Sequence, residues 1–590
     1  MEQELISLRL DDIPLLHHVI GELGIRKGID NVLAQHGNWS GISIGSVVEH
    51  WLCYILSECD HRLQNVEDWS ASRIELLQVL SEDKTLSYLD FTDDKLGAVL
   101  DKIGDVSVWN AIESQINETC LSVYRLAETT EMATLRLDAA PIQSHGKVKE
   151  GGLLQHGHHK HHADLPQFKA KLCTLDNELT HFAFPVASMI VSGNQSDDGL
   201  YIPMIKQSKA ALSGIAGYGT ENLYVGDKKF ASIGNRAYVV AGQNYYLTPL
   251  PLVQLSQAAR EAAIQNSDKS LYTDVTRIEG KNTVTIASGF EAEVLLEHKV
   301  GEKKVSWTER RLFVNGTAYA RSQQAAFDKR LIKVVAALDD LCVHKKGKKS
   351  LDNTEELQAT IDKLLKDNHL EGLLEVTIQV TEVTKTVRAY GAKPARTQVT
   401  RSFAIVTTTN EVAIAAHKSF LGWQVYATNA PKTLLCFEEC VLKYRHQSNI
   451  EHTFDNLRNK VAHLVPIFLH KEDRIKGLVN ILLLALKVCA VMEYKIADAL
   501  HKNKAELDSV YEGNPKRSTP RPSAKRICKA FDGISIALIF LNYKLQYAIM
   551  TNLEPTQSKI LQLLGIEKEV YTKIAHKIQI FFSQNVISET

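Results

Sequence analysis

The chain has 590 residues, with 68 Lys and Arg against 69 Asp and Glu and a formal net charge of −1. That length exceeds what one hydrophobic core organises, so several domains are expected, and the balanced charge excludes a wholly basic nucleic-acid binder while leaving room for local basic surfaces. Nine scattered cysteines without a CxxC pair exclude a disulfide framework and a zinc knuckle, and the N-terminus lacks the order of a signal peptide, so a cytoplasmic protein is expected.

Residues 1–125 read as helices, because IPLLHHVIGELGI, IGSVVEHWLCYIL and KLGAVLDKIGD each space their apolar residues by three and four. On that pattern alone the block suits a dimerisation bundle. From 126 to 250 the texture changes to short strands: MATLRLDA, LLQHGH, FKAKLCTLD, HFAFPVASMIV, ENLYVGD and RAYVVAGQNYYLTPL, with QSKAALSGIA and KKFASIG helical between them. Strands alternating with helices imply a mixed α/β sheet covered by helices.

Two of these strands are expected to end on a carboxylate. In ATLRLDAAPI, Ala133, Leu135 and Leu137 alternate with polar residues up to Asp138; in ENLYVGDKKF, Leu223, Tyr224 and Val225 lead through Gly226 to Asp227. Asp197 and Asp198 rival Asp227 but follow a turn-like GNQS segment, with no apolar strand delivering them. Between the two strands lies QHGHHKHH, with His156, His158, His159, His161 and His162. Gly157 and the following DLPQ favour strand and loop there, and no acid or cysteine sits at a fitting ligand spacing, so an exposed histidine loop is expected rather than a zinc site.

The stretch 251–435 is far longer than a connection inside one compact core requires and carries its own elements, so it reads as an inserted, β-rich domain. Its strands are NTVTIASGF, KVSWTERRLFVNG, LLEVTIQVTEV, RSFAIVTT and WQVYATN, and its helical pair is AAFDKRLIKVVAALDDL and TEELQATIDKLLKD. Trp307 and Trp423 are candidates for base stacking or for the β-rich core. Lys345, Lys346, Lys348 and Lys349 form a basic run that reads as a solvated loop or a DNA contact.

Residues 436–503 open with YRHQSNIEHTFDNLR. Read as one helix at roughly 100° per residue, Tyr444, Gln447, Glu451 and Arg458 fall within about 60° of each other. Ile450, Phe454, Leu457 and Val461 make the adjoining apolar stripe. On periodicity alone this is an ordinary amphipathic helix; with Asp138 and Asp227 it completes a set of three carboxylates. The run Ile481–Met492, interrupted by Lys487, is too short to span a bilayer and reads as a buried helix. Residues 504–590 are expected to be a helical C-terminal region beginning with a linker that holds Lys516, Arg517, Arg521, Lys525, Arg526 and Lys529, again either solvated or in contact with DNA.

Taken together these residues resemble the DDE transposases of bacterial insertion sequences, in the branch whose glutamate helix carries Tyr-x2-Arg-x3-Glu-x6-Lys. Tyr444 and Glu451 keep the pattern, Gln447 replaces the arginine and Arg458 the lysine, with Arg445 as a neighbouring cation. VSGNQSDDGLYIPMI is similar to the family's Gly-Asn-x-Ser-Asp segment, HHADLPQF to its Asp-Leu-x-Gln stretch, EDRIKGLVNILLLAL to the helix after the catalytic one, and LISLRLDDIPLLHHVIGELGIRKGIDNVL to its N-terminal domain.

The resemblance implies an RNase H-like mixed-sheet catalytic core, in 126–250 and 436–503, split by the insertion domain. The N-terminal domain would recognise transposon ends and the insertion would grip cleaved DNA. It implies Asp138, Asp227 and Glu451 as catalytic ligands of two Mg²⁺ ions, with Mn²⁺ as a substitute and Asp138 bridging both. Tyr444, Arg445, Arg458 and Lys228 would contact DNA, with Lys229 adding positive field. The expected partners are the terminal inverted repeats, target DNA and a second copy in a synaptic complex, with no membrane, and the expected place is a bacterial cytoplasm at the nucleoid. A catalytically inactive DNA-binding relative and an RNase H-like nuclease without strand transfer are the alternatives.

Overall fold

The computed structural model describes residues 3–585 apart from 34–38, 126–131, 158–164, 181–182, 216–217, 219–220, 280–281, 344–352, 389–390, 392–395, 461–463, 465–466 and 543. The chain divides into two compact units. One comprises Met1–Thr248, Leu296–Trp307 and Leu442–Thr590, the other Pro249–Leu295 and Thr308–Val441. The stretch 251–435 thus falls in the second unit apart from 296–307, whereas 1–125 and 504–590 belong to the same unit as the strands that carry Asp138 and Asp227.

The first unit opens with strand β1 (Gln3–Arg9) and then the apolar-periodic helices, among them Ile13–Glu22, Ile44–Glu58, Asp93–Ile103 and Val106–Ser122. Its central sheet is made of β2 (Thr134–Gln143), β3 (Gln167–Leu175), β4 (Phe184–Ser192), β5 (Leu223–Gly226) and β6 (Tyr245–Pro249), in the order β4-β3-β2-β5-β6. The strands β2, β3 and β4 form an antiparallel meander, while β5 and β6 run parallel to β2. Parallel pairing needs a crossover, and the helices Tyr201–Leu212 and Ile233–Ala241 supply it. RAYVVA, expected to be strand, is the second of these helices: Ser232 caps it by accepting from the Asn235 N–H, and the strand starts only at Tyr245. LLQHGH forms no strand either, only an isolated bridge between Gln155 and Gln167.

The helix Glu472–Lys502 runs through the core of this unit, and 94% of its most apolar window is buried there, although it is long and apolar enough by composition to cross a membrane. Gly477 lets it meet the helix Asp93–Ile103 at backbone distance, since a Cβ would lie 2.2 Å from the Leu100 carbonyl oxygen. Lys487, fully buried, pairs with Glu113 at 3.3 Å and donates to Asn117 at 2.8 Å and to the Pro185 carbonyl. That pairing is what permits a charge within the apolar run. Trp307, 7% exposed, donates its indole N–H to the Tyr246 hydroxyl at 2.9 Å and is packed within this unit.

The second unit contains β7 (Thr273–Glu279), β8 (Asn282–Val300) up to Leu295, β9 (Lys303–Gly316) from Thr308, β10 (Leu374–Val387), β11 (Arg396–Thr409) and β12 (Trp423–Thr428). Phe327, Val334 and Leu338 of the helix Thr317–Leu341 pack on Leu357, Ile361 and Leu365 of the helix Thr354–Asp367, each set at helical spacing. Trp423 donates to the Ser419 carbonyl at 3.1 Å and meets the rings of Tyr272 and Phe290 edge-on. Lys345 to Lys349 lie outside the described residues.

The C-terminal region departs from a helical tail. SIALIFLNYKLQYAI is a hairpin of β13 (Ser535–Leu541) and β14 (Lys544–Met550), and β13 pairs antiparallel with β1. Its dense β-branched and aromatic residues suit a pleated surface, and Asn542, at φ 51°, turns the chain where a helix would have to continue. The helices Pro555–Leu564 and Ile574–Asn585 follow.

Candidate active site

The parallel ladder between β2 and β5 sets Asp138 and Asp227 side by side. Its last pair is Leu137 with Gly226, so each aspartate is the next residue of a neighbouring strand. Asp227 does follow the end of β5. Asp138 is not the last residue of its strand: β2 continues to Gln143 against β3, and Asp138 marks only where pairing with β5 stops. Asp138 Oδ1 accepts from the Ala139 N–H at 2.8 Å. Burial, and after it the nearby carboxylates of Asp227 and Glu451, push its carboxyl up to about 7, against the lowering effects of the Ala139 bond and Lys171.

Tyr444 to Arg458 is not one helix. The helix Phe437–Arg445 stops, a second runs Ser448–Asp455, and a π-helical turn Asn456–Lys460 follows. The cause is Arg136 of β2, whose side chain is fully buried. It pairs with Asp176 at 2.5 Å, donates to the Lys443 carbonyl at 2.7 Å and reaches Gln447 Oε1 at 3.4 Å. In a continuous helix the Lys443 carbonyl would accept from the Gln447 N–H, which instead donates to Tyr444 at 3.0 Å. Tyr444 and Glu451 therefore belong to different helices and do not share one stripe.

Glu451 lies in the first turn of Ser448–Asp455 with an exposed side chain. The adjoining face of that helix buries Ile450 and Phe454, and the face opposite Glu451 is anchored: Asn449 donates to Asp176 at 2.8 Å and Thr453 to the Ala183 carbonyl at 3.2 Å. Leu457 is buried as the apolar stripe requires, and Val461 lies outside the described residues. Arg458 is half-buried and donates to the Phe454 carbonyl at 3.4 Å, while Tyr444 is half-buried and Arg445, Lys228 and Lys229 are exposed. Among the described residues no three His, Cys, Asp or Glu side chains close into an ion-binding group. The structure thus pairs Asp138 with Asp227 and presents Glu451 at the solvent side of the helix packed on the Asp138 strand. Of the histidine run, His156 is described and the other four lie outside the described residues.

The rival aspartates have partners of their own, although Asp197 lies close enough to Lys171 and Tyr201 to act on both. Asp197 pairs with Lys169 at 2.7 Å, and Asp198 accepts from Asn235 at 3.3 Å. The segment before them is built for close packing: a Cβ on Gly193 would lie 2.0 Å from the Gln167 carbonyl oxygen, and Gln167 donates back to the Gly193 carbonyl at 3.1 Å. The Asp-Leu-x-Gln and Gly-Asn-x-Ser-Asp stretches therefore meet at this point of the sheet.

Two residues of the site were not singled out by sequence. Tyr201 donates its hydroxyl to Asp227 Oδ1 at 2.5 Å, on the side chain that also accepts from the Lys229 N–H at 2.9 Å. Lys171, fully buried, places its ammonium 3.1 Å from the centre of the Tyr201 ring, and burial pushes its pKa down to about 8 despite Asp197, Asp227 and Asp138 nearby. Lys171, on a buried position of the strand FKAKLCTL, was the available signal. Tyr201→Phe keeps the ring and removes one bond to a charged acceptor, so it is expected to fold and to lose about 1.5–3 kcal/mol, measured by denaturant unfolding.

No family model matches the chain, and no curated protein matches it in sequence. Among solved structures it is similar to a piggyBac transposase, from the cryo-EM structure of that transposase's synaptic complex with hairpin DNA. The identity is 10%, over 52% of this chain and 63% of that one, with a TM-score of 0.23. The match spans less than two thirds of that transposase chain.

Proposed function

We propose that the protein is a DDE-type transposase of a bacterial insertion sequence, acting in the cytoplasm on its element's terminal inverted repeats and on target DNA as a dimer or larger synaptic complex. The observation that carries this reading is the register that makes Asp138 and Asp227 neighbours across a parallel ladder, with Arg136 of the Asp138 strand reaching Gln447 at the start of the Glu451 helix and sharing Asp176 with Asn449 of that helix. The strand order, with an antiparallel meander and two parallel strands beside its first member, supports an RNase H-like core.

A donor set of carboxylates alone fits hard divalent cations. Asp138, Asp227 and Glu451 would hold two Mg²⁺, or Mn²⁺ in their place, which when bound activate the attacking oxygen and stabilise the leaving oxygen of a phosphodiester. The chain's own contribution is placement. Tyr201 and the Lys229 N–H fix the Asp227 carboxylate, the Ala139 N–H fixes Asp138, and Arg136 sets where the glutamate helix begins. Tyr444, Arg445, Arg458 and Lys228 are the proposed DNA contacts.

The test is incubation of the purified protein and Mg²⁺ with DNA carrying the repeats that flank its reading frame. Strand cleavage at the repeat ends, leaving 3′-hydroxyls that join a second DNA, is the expected outcome. Specific binding without cleavage would contradict the enzymatic reading and favour a DNA-binding relative.

A further inference from the structure

The C-terminal basic run is a structured element and not a solvated loop. Leu507 and Thr519 exchange two backbone hydrogen bonds of 2.9 Å, Arg521 donates to the Glu178 carbonyl at 2.9 Å, and the Ala524 N–H donates to Glu493 at 2.8 Å. On this frame Arg517 and Arg526 both stack on Tyr511, 4.1 and 4.4 Å from its ring centre, which holds two guanidinium groups in place. The segment closes one side of a cleft of about 660 Å³, whose other side includes His452 and Asn456 of the helical stretch that carries Glu451.

The charges of the cleft are unbalanced. Arg521, Lys525, Arg526 and Lys529 line it, with exposed side chains, against Glu493 and Glu512. Lys529 is paired with Asp532, and Glu493 is committed to the Ala524 N–H, while among the described residues Arg521, Lys525 and Arg526 form no ion pair. A groove of several cations, of which Arg521 and Arg526 are held by the Glu178 carbonyl and the Tyr511 ring, beside the flank of a helix with a candidate catalytic carboxylate matches the repeating anions of a nucleic-acid backbone better than a single small anion.

We propose that this cleft binds the sugar–phosphate backbone of the DNA on which the Glu451 helix acts, independently of base sequence. The inference rests on the transposase reading. Its test is fluorescence anisotropy of a labelled duplex of arbitrary sequence, titrated with the full-length protein at several KCl concentrations, comparing wild type with Arg521→Ala/Lys525→Ala/Arg526→Ala. Each lost phosphate contact removes roughly 0.9 from the slope of log K against log salt. The triple variant is expected to lose about 2–3 from that slope and on the order of 10- to 100-fold in affinity at moderate salt. Should it not fold, Lys525→Glu alone is expected to weaken binding and lower the slope by about 1.

Unchanged slope and affinity in the folded variant, or no duplex binding by wild type, would overturn the inference. Mg²⁺-dependent cleavage, measured in parallel, separates the two readings. Cleavage with an unchanged slope leaves the transposase reading and removes the cleft, and a reduced slope without cleavage does the reverse.

Discussion

Asp138→Asn, Asp227→Asn and Glu451→Gln are each expected to lower Mg²⁺-dependent cleavage of end DNA at least about 10³-fold, while binding to the same DNA stays within a few-fold of wild type. Groups that act as one unit fail together, so the Asp138→Asn/Asp227→Asn pair is expected to be little worse than either single change. Stability separates a site from a structural role. The Asp138 carboxyl, raised from 3.8 to about 7, is ionised in the fold only at a cost that grows as pH rises through that window. Asp138→Asn is therefore expected to stabilise the protein at about pH 8, by up to about 4 kcal/mol, and not at about pH 4. Thermal unfolding at the two pH values measures this. Loss of stability at both, with loss of DNA binding, would mean that Asp138 is structural.

Arg136→Met is expected to destabilise the first unit by about 3–5 kcal/mol, because it leaves Asp176 as a buried, partly unpaired charge and frees the Lys443 carbonyl. Asp176 still accepts from Asn449, so adding Asp176→Asn is expected to recover part of the loss. Denaturant unfolding of the single and double variants forms the test, and an Arg136→Met protein as stable as wild type would remove Arg136 as the anchor of the glutamate helix. Cleavage is expected to fall in the single variant even where it is folded, because the start of the helix is no longer fixed.

The neighbourhood of Asp138 and Asp227 was legible because each aspartate directly follows the apolar residues that pair two adjacent strands of one sheet, even though the Asp138 strand runs on past it. The helical N-terminal block and the strand and helix runs of 251–435 were legible for a similar reason, since each has a clear period in its own residues. What periodicity could not convey was set from far away in sequence. The break after Arg445 comes from a guanidinium 307 residues upstream of the carbonyl it takes. Tyr201 meets Asp227 only because a crossover helix returns it to the end of β5. The hairpin at 535–550 was missed because an apolar run of that length fits helix or strand, and its pairing with β1 spans nearly the whole chain.

The central claim is that Asp138, Asp227 and Glu451 hold one divalent-cation site. Fe²⁺ in place of Mg²⁺, with ascorbate and peroxide, cuts the backbone beside the residues that bind it, and the fragments can be sized. Cuts are expected near 138, 227 and 451, competed away by Mg²⁺ and abolished by Asp138→Asn. Cuts confined to another place, such as the histidine run from His156 to His162, or cuts near 138 that persist in Asp138→Asn, would contradict it.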